Sequence, residues 1–133
     1  MARGVVILGS LLLLGGAGVV AGVGLSGPGG RAPPPELVVA GGDPGRGAAV
    51  IRRSGCGACH VIPGIAGAGG LVGPPLESFA RRAYVGGVLP NRPQNLVAWL
   101  LDPPAIDALT AMPAPGISAA EARDVAAYLY RLR

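Results

Sequence analysis

Apolar residues are unevenly distributed along the chain, and the longest uninterrupted apolar stretch lies near its start. Residues 4–25 contain no charged side chain and one polar side chain, Ser10, and as a helix they would span roughly 33 Å, enough to cross a bilayer. Arg3 precedes the stretch and the next charge is Arg31, which predicts a single-pass anchor with the following domain on the periplasmic side. A removed signal peptide is the alternative, because Val19-Val20-Ala21 could be its cleavage site, and it would leave a soluble periplasmic protein.

Residues 26–35 separate this segment from the rest of the chain. They combine Gly with a run of three Pro, a composition typical of a flexible and then extended linker. Three parts are therefore expected: an anchor or signal segment at 1–25, a linker at 26–35 and one folded domain at 36–133.

The folded domain begins and ends with recognisable helix signals. Asp43 followed by Pro44 predicts a helix that runs to about Gly55. Ser118 and Glu121 have the spacing of a capping box, and the apolar residues after them fall on one helical face. A helix is therefore expected at each end of the domain.

Helix signals also occur in the middle of the domain. Asn91 is predicted to cap a second helix with Pro93 in its first turn and residues 96–101 as its body, ended by Asp102-Pro103-Pro104. A shorter helix is predicted over about Leu76 to Tyr84. No alternating strand pattern and no repeat stand out, so the domain is predicted to be all-α with long connections.

The composition adds a requirement for something besides side chains in the core. The chain has 24 Gly and 14 Pro, yet 50% of its residues are hydrophobic and 14% are charged, which argues against disorder. Only 4% of the residues are aromatic, so a domain of this size is expected to need a metal, a disulfide or a bound prosthetic group.

The charge gives a weaker indication of partners. The formal net charge is +4 and every basic residue is Arg. These Arg residues form no long run and are not interleaved with aromatic residues, so nucleic-acid binding is not predicted. A modest positive charge fits docking onto acidic protein surfaces.

The candidate chemistry is concentrated in one motif, Cys56-Gly57-Ala58-Cys59-His60. C-x-x-C-H is the attachment signature of haem c: the two thiols can form thioethers with the haem vinyl groups, and the adjacent His60 can ligate the iron. A Cys56–Cys59 disulfide is an alternative, but it leaves His60 unexplained. A thioredoxin-like redox pair is another alternative, but the predicted elements lack its βαβ setting. Structural zinc would need further Cys or His ligands, and the chain has none.

Met112 is the candidate for the second axial ligand of the iron. It is the only Met besides the initiator, and it lies beside Pro113 in a predicted loop between helices. A Met thioether opposite an imidazole favours reduced iron. Core filling is the ordinary alternative for a Met.

Together these features make residues 42–133 similar to the class I c-type cytochromes. The resemblance implies a cytochrome c fold in which the N- and C-terminal helices cross beside one covalently bound haem, with an additional apolar helix before the domain. Gly47 and Ile51 lie where the first helix of that family crosses the last, and Val125 and Tyr128 lie where the last helix crosses the first.

The resemblance also implies roles for residues around the haem. Pro74, in Gly73-Pro74-Pro75-Leu76, would accept a hydrogen bond from His60 through its carbonyl. Arg82 and Trp99 would lie near the haem propionates, and Thr110 near the haem beside Met112. Their ordinary alternatives are a surface charge, core packing and a turn residue, respectively.

The expected function is electron transfer and not catalysis. The stretch from Asn91 to Trp99, followed by Asp102-Pro103 and Met112-Pro113, resembles the cytochrome c domains associated with bacterial terminal oxidases. This implies a respiratory carrier that takes single electrons from a quinol-oxidising complex or a dehydrogenase and passes them to a terminal oxidase. The alternative is a haem enzyme or sensor with an open iron site, peroxidase-like or gas-binding.

Overall fold

The computed structural model describes residues 32–133, which are rich in helix and carry one small antiparallel sheet. The helices are α1 (Pro44–Arg53), α2 (Pro93–Leu101), α3 (Pro103–Ile106) and α4 (Ala119–Leu129), and the strands are β1 (Tyr84–Val85) and β2 (Leu89–Pro90). Single 3₁₀ turns cover Pro35–Leu37, Cys56–Ala58 and Phe79–Arg81. Helix α1 lies near the start of this region and the other three helices lie in its second half, with a long connection between α1 and α2.

The ends of α1 and α4 follow from local hydrogen bonds that the sequence predicts. The Asp43 side chain accepts a 2.7 Å hydrogen bond from the Arg46 backbone N–H at the start of α1. The helix stops just before Gly55, whose φ of 71° lies in the left-handed region that glycine adopts at little cost. At α4, Ser118 and Glu121 form both bonds of the capping box. The predicted starts of these two helices are confirmed.

Two details of the middle helix differ from the prediction. Asn91 is not the cap of α2: the helix begins at Pro93 after Arg92, which makes no side-chain capping bond, and the Asn91 amide bonds to other parts of the chain. Asp102 ends α2 as expected, but it also caps the short helix α3 by accepting a 3.2 Å bond from the Ala105 N–H.

The prediction of a helix over Leu76 to Tyr84 is wrong. Only the single turn Phe79–Arg81 is helical, and Tyr84 already belongs to β1. The two-residue strands pair Val85 with Leu89 across Gly86 and Gly87, both at positive φ. An all-α domain is therefore too simple a description, although the sheet is very small.

The most extensive helix contact among the described residues joins α1 to α4. Ile51 of α1 and Val125 of α4 are almost completely buried. A Cβ at Gly47 would overlap the Asp124 carbonyl, so the two backbones approach to a distance that only glycine permits. The crossing predicted from Gly47, Ile51, Val125 and Tyr128 is present in the structure.

Asp124 also stabilises this crossing, through an ion pair and hydrogen bonds. Its carboxylate accepts the Asp43 N–H at 2.7 Å and two bonds of 2.8 Å from the Arg46 guanidinium. Hydrogen bonding from Arg46 lowers the pKa of the Asp124 carboxyl below its ordinary value. The start of α1 is thus tied to the middle of α4 by charge as well as by packing.

The two ends of the described region also meet. The Arg133 guanidinium donates a 2.6 Å hydrogen bond to the carbonyl of Ala32. The predicted anchor or signal segment at 1–25 and most of the linker lie outside the described residues, and the domain limits stay predictions. None of the helices within residues 32–133 has the length and apolar character needed to span a bilayer.

Candidate functional site: a cavity beside the C-x-x-C-H turn

The C-x-x-C-H motif forms a tight turn directly after α1. Backbone N–H groups of Cys59 and His60 both donate to the Cys56 carbonyl, at 3.2 and 3.0 Å. The turn holds the two thiols and the imidazole in one short segment, and both Cys are free thiols. Burial raises the pKa of the Cys56 thiol, which is the opposite of the lowered pKa of a thiol activated for disulfide exchange.

A cavity of about 420 Å³ opens beside this turn. Its size lies within the range of roughly 300–1,000 Å³ that small-molecule and cofactor sites occupy. All eight predicted site residues line it: Cys56, Cys59, His60, Pro74, Arg82, Trp99, Thr110 and Met112. The structure thus brings together side chains and loops that are more than fifty positions apart in the sequence.

The His60 ring has one of its nitrogens committed. Nδ1 lies 2.7 Å from the Pro74 carbonyl oxygen, and because a carbonyl can only accept, Nδ1 carries the hydrogen. In the neutral imidazole, Nε2 then keeps its lone pair for a ligand bond. Gly73 packs so closely that a Cβ there would overlap the ring, and its N–H donates to the Cys59 carbonyl at 2.8 Å. The imidazole is held in one orientation.

Met112 approaches the cavity from the connection between α3 and α4. Its backbone N–H donates to the Thr110 hydroxyl at 3.2 Å, and the side chain is half-buried. Thr110 in turn bonds through its N–H to the Asp107 carbonyl at 3.1 Å. The predicted residue Thr110 thus shapes the turn that presents Met112.

Trp99 forms an apolar part of the wall. It is 6% exposed and belongs to α2. Gly86 of the β1–β2 turn lies against its ring, where a Cβ would come within 2.5 Å of the indole. The sheet that the sequence prediction missed therefore supports the cavity wall, and the Gly86-Gly87 pair between apolar residues was the signal for it.

Arg82 lines the cavity, and its guanidinium bonds to the protein backbone. It donates to the Pro75 carbonyl and, at 3.5 Å, to the Glu77 carbonyl. Its guanidinium carbon also lies 5.4 Å from the centre of the Phe79 ring, a cation–π distance. The side chain is therefore fixed at the cavity edge by partners on both sides.

These residues fit a covalently attached haem. The turn offers two thiols and an imidazole with a free nitrogen, the opposite segment offers a thioether, and the wall between them is mainly apolar. Haem iron in such a site needs only two protein ligands. Within residues 32–133, no group of three or more His, Cys, Asp or Glu side chains is arranged to hold a bare metal ion. The haem roles of the eight residues stay predictions.

Comparison with known proteins shows similarity to a respiratory protein. The chain is 33% identical over 89 residues to cytochrome c oxidase subunit 2 of Alkalihalophilus pseudofirmus, and the matched stretch covers 66% of this chain and 25% of that protein. The chain therefore corresponds to about a quarter of the relative's length. No model of a known protein family matches the chain.

Proposed function

We propose that residues 36–133 are a cytochrome c domain that binds one haem c and carries single electrons in a respiratory chain. This proposal is carried by the observation that Cys56, Cys59, His60 and Met112 all line the same cavity. The free Nε2 of His60, left by the bond from Nδ1 to Pro74, supports it. When bound, haem would supply a reversible one-electron change at its iron.

Cys56 and Cys59 would hold the haem covalently. Each sulfur would be joined to one carbon of a haem vinyl group through a thioether bond, with the thiol hydrogen on the neighbouring carbon and nothing released.

His60 and Met112 would both bind the haem iron. The bond from Nδ1 to the Pro74 carbonyl makes the imidazole a stronger donor and fixes its plane. The hydrogen bond from the Met112 N–H to Thr110 holds the loop that brings in the thioether. Neither residue transfers a proton or forms a bond to a substrate, so the proposed function is that of an electron carrier and not of an enzyme.

The respiratory role rests on similarity to an oxidase subunit. The relative's name places it in cytochrome c oxidase, and we propose a terminal oxidase as the electron acceptor of this chain. A quinol-oxidising complex or a dehydrogenase would be the donor. The net charge of +4 would assist encounter with acidic partners.

We also propose that the domain works on the periplasmic side, attached to the cell membrane through residues 4–25. The absence of charge from that stretch supports attachment. N-terminal sequencing of the protein from the membrane fraction tests this. A sequence starting at Met1 or Ala2 supports the anchor, and one starting after Ala21 overturns it in favour of a soluble carrier.

The axial ligand is tested by the visible spectrum of the oxidised protein. We expect the full chain to show the weak far-red band of sulfur–iron coordination, and Met112→Ala to lose it and to bind cyanide readily. Leu109→Ala is a matched control, because Leu109 lies in the same connection but is 94% exposed. A wild-type protein that lacks the band and binds cyanide would instead be a haem enzyme or sensor with an open iron site.

A further inference from the structure

Asn91 does not line the cavity, and both of its sequence neighbours are exposed. Its side chain nevertheless makes three hydrogen bonds. Its amide nitrogen donates to the carbonyls of Phe79 and Arg82, both at 3.0 Å, and its amide oxygen accepts from the Tyr130 hydroxyl at 2.9 Å. Its backbone N–H also donates to the Ala83 carbonyl at 2.9 Å. Asn91 thus fixes the segment that ends in Arg82.

Tyr130 anchors this arrangement to the end of α4. The residue is fully buried, and its ring packs on Phe79 with 5.9 Å between ring centres. A buried phenol needs a partner for its hydroxyl, and the Asn91 amide oxygen provides it. The Ala80 N–H donates to the Leu132 carbonyl at 3.0 Å, so the turn at Phe79–Arg81 is joined to the C-terminal residues directly by this bond and indirectly through Asn91.

The segment Pro74-Pro75 explains why such anchoring is needed. Proline has no N–H, so these two residues are held only through their carbonyls. Pro74 accepts from His60 Nδ1 and Pro75 accepts from the Arg82 guanidinium. The nearest N–H anchors are Gly73, which bonds to Cys59, and Leu76, which bonds to Val61, both at 2.8 Å.

Hydrogen bonds and two covalent segments, the Arg82 side chain and the Pro74-Pro75 backbone, therefore connect the protein core to the proposed iron ligand. The order is Tyr130 hydroxyl, Asn91 amide, Arg82 main chain, Arg82 guanidinium and Pro75 carbonyl. The residue before Pro75 is Pro74, and its carbonyl accepts the hydrogen bond from His60 Nδ1.

We infer that the Tyr130–Asn91–Arg82 chain is a positioning device for His60: it holds the Pro74 carbonyl against Nδ1 and so sets how strongly the imidazole donates to the iron. This inference rests on the proposed function. It gives Arg82 a role through the Pro75 backbone, whereas the resemblance to c-type cytochromes implies a contact with a haem propionate. The two roles are separable, because one depends on the geometry of the guanidinium and the other on its charge.

The experiment compares two single-atom deletions in the haem-loaded full chain. Tyr130→Phe removes the hydroxyl that bonds to Asn91 and keeps the ring that packs on Phe79. The control Tyr128→Phe removes a hydroxyl two residues earlier, one that donates to the Pro63 carbonyl at 2.6 Å and does not bond to Asn91 or Arg82. Each variant loses one hydrogen bond.

The readouts are the solvent exchange of the His60 Nδ1–H, followed by NMR in the reduced state, and the midpoint potential. We expect Tyr130→Phe to speed the exchange roughly fivefold, which corresponds to one net hydrogen bond. The potential should rise, because a less firmly bonded imidazole is a weaker donor and favours reduced iron. Tyr128→Phe should leave both values at those of the wild type. Equal changes in the two variants, or no change in Tyr130→Phe, would overturn the inference.

Arg82→Lys separates geometry from charge. Lysine keeps the positive charge but not the planar fork, so we expect faster His60 exchange and a higher potential. If only the charge of Arg82 matters, neither value changes and the chain ends at Asn91, which overturns the inference.

Failure of the proposed function would look different, because the wild type would then carry no covalent haem. In that case, exchange of the Leu76 amide still reports how firmly the Pro74-Pro75 segment is held. The inferred anchoring requires faster Leu76 exchange in Tyr130→Phe than in Tyr128→Phe, and equal rates would refute it.

Discussion

The α1–α4 crossing and the connections between residues 54 and 118 are held together in different ways. At the crossing, buried apolar side chains and two closely approaching backbones fill the space between two helices. The connections instead enclose a cavity of about 420 Å³. They are fixed by backbone–backbone hydrogen bonds and by side chain–backbone hydrogen bonds, such as those of His60, Arg82 and Asn91.

This difference indicates which part of the domain is stable without a bound ligand. A filled interface is stabilised by its own residues, whereas the walls of an empty apolar cavity lose their contacts on one side. Ile51, Val125 and Leu129 belong to the helices and also line the cavity. The crossing therefore depends partly on whatever fills the space that the connections enclose.

The largest effect on stability is expected when the proposed covalent haem is removed. Cys56→Ser combined with Cys59→Ser should abolish covalent haem, so that the apolar walls of the cavity lose their contacts on one side. Because an ordinary domain is only marginally stable, this loss should be enough to unfold it. Circular dichroism should show loss of native helicity.

The same double variant can also contradict this view of the two regions. If it keeps native helicity and a cooperative unfolding transition, the connections are stable around an empty cavity. The haem would then not be needed for folding.

A smaller but still large effect is expected at the crossing itself. Gly47→Ala places a Cβ against the Asp124 backbone, which cannot turn aside, and should lower the free energy of unfolding by about 3 kcal/mol. Gly45→Ala is the matched control, because a Cβ there meets only the Asp43 carboxylate at 3.2 Å and a helix gains up to about 1 kcal/mol from Ala. Urea denaturation measures both. Similar losses in the two variants would mean that close backbone approach does not govern the crossing.

The smallest of the three effects is expected to depend on pH. The folded pKa of Asp124 lies below its unfolded value, about 3.8, chiefly because Arg46 donates hydrogen bonds to it. Its contribution to stability is therefore complete above that value and is lost as the pH falls through the folded pKa. Asp124→Asn should lower the urea midpoint at pH 7, and the difference from wild type should shrink as the pH falls below 4. A difference that stays constant with pH would rule out the charge as its cause.

The sequence predicts best what is decided by neighbouring residues. Asp43 and Ser118 bond to N–H groups three positions away, so the starts of α1 and α4 could be predicted from local spacing. The site residues were identifiable for another reason, since the C-x-x-C-H spacing is specific and Met112 has no competitor in the domain.

Asn91 shows why the remainder could not be predicted. Its spacing from Pro93 is that of a helix cap, but its partners Phe79, Arg82 and Tyr130 are 9 to 39 positions away. A side chain with both donors and an acceptor bonds wherever the tertiary fold offers the better partners. The helix predicted over Leu76 to Tyr84 failed for the related reason that distant carbonyls and rings fix this segment.

The bond between Arg133 and the Ala32 carbonyl has a consequence for how this unit can be used in a longer polypeptide. Because its first and last described residues lie side by side, the domain can be joined to another protein at one corner without disturbing its interior.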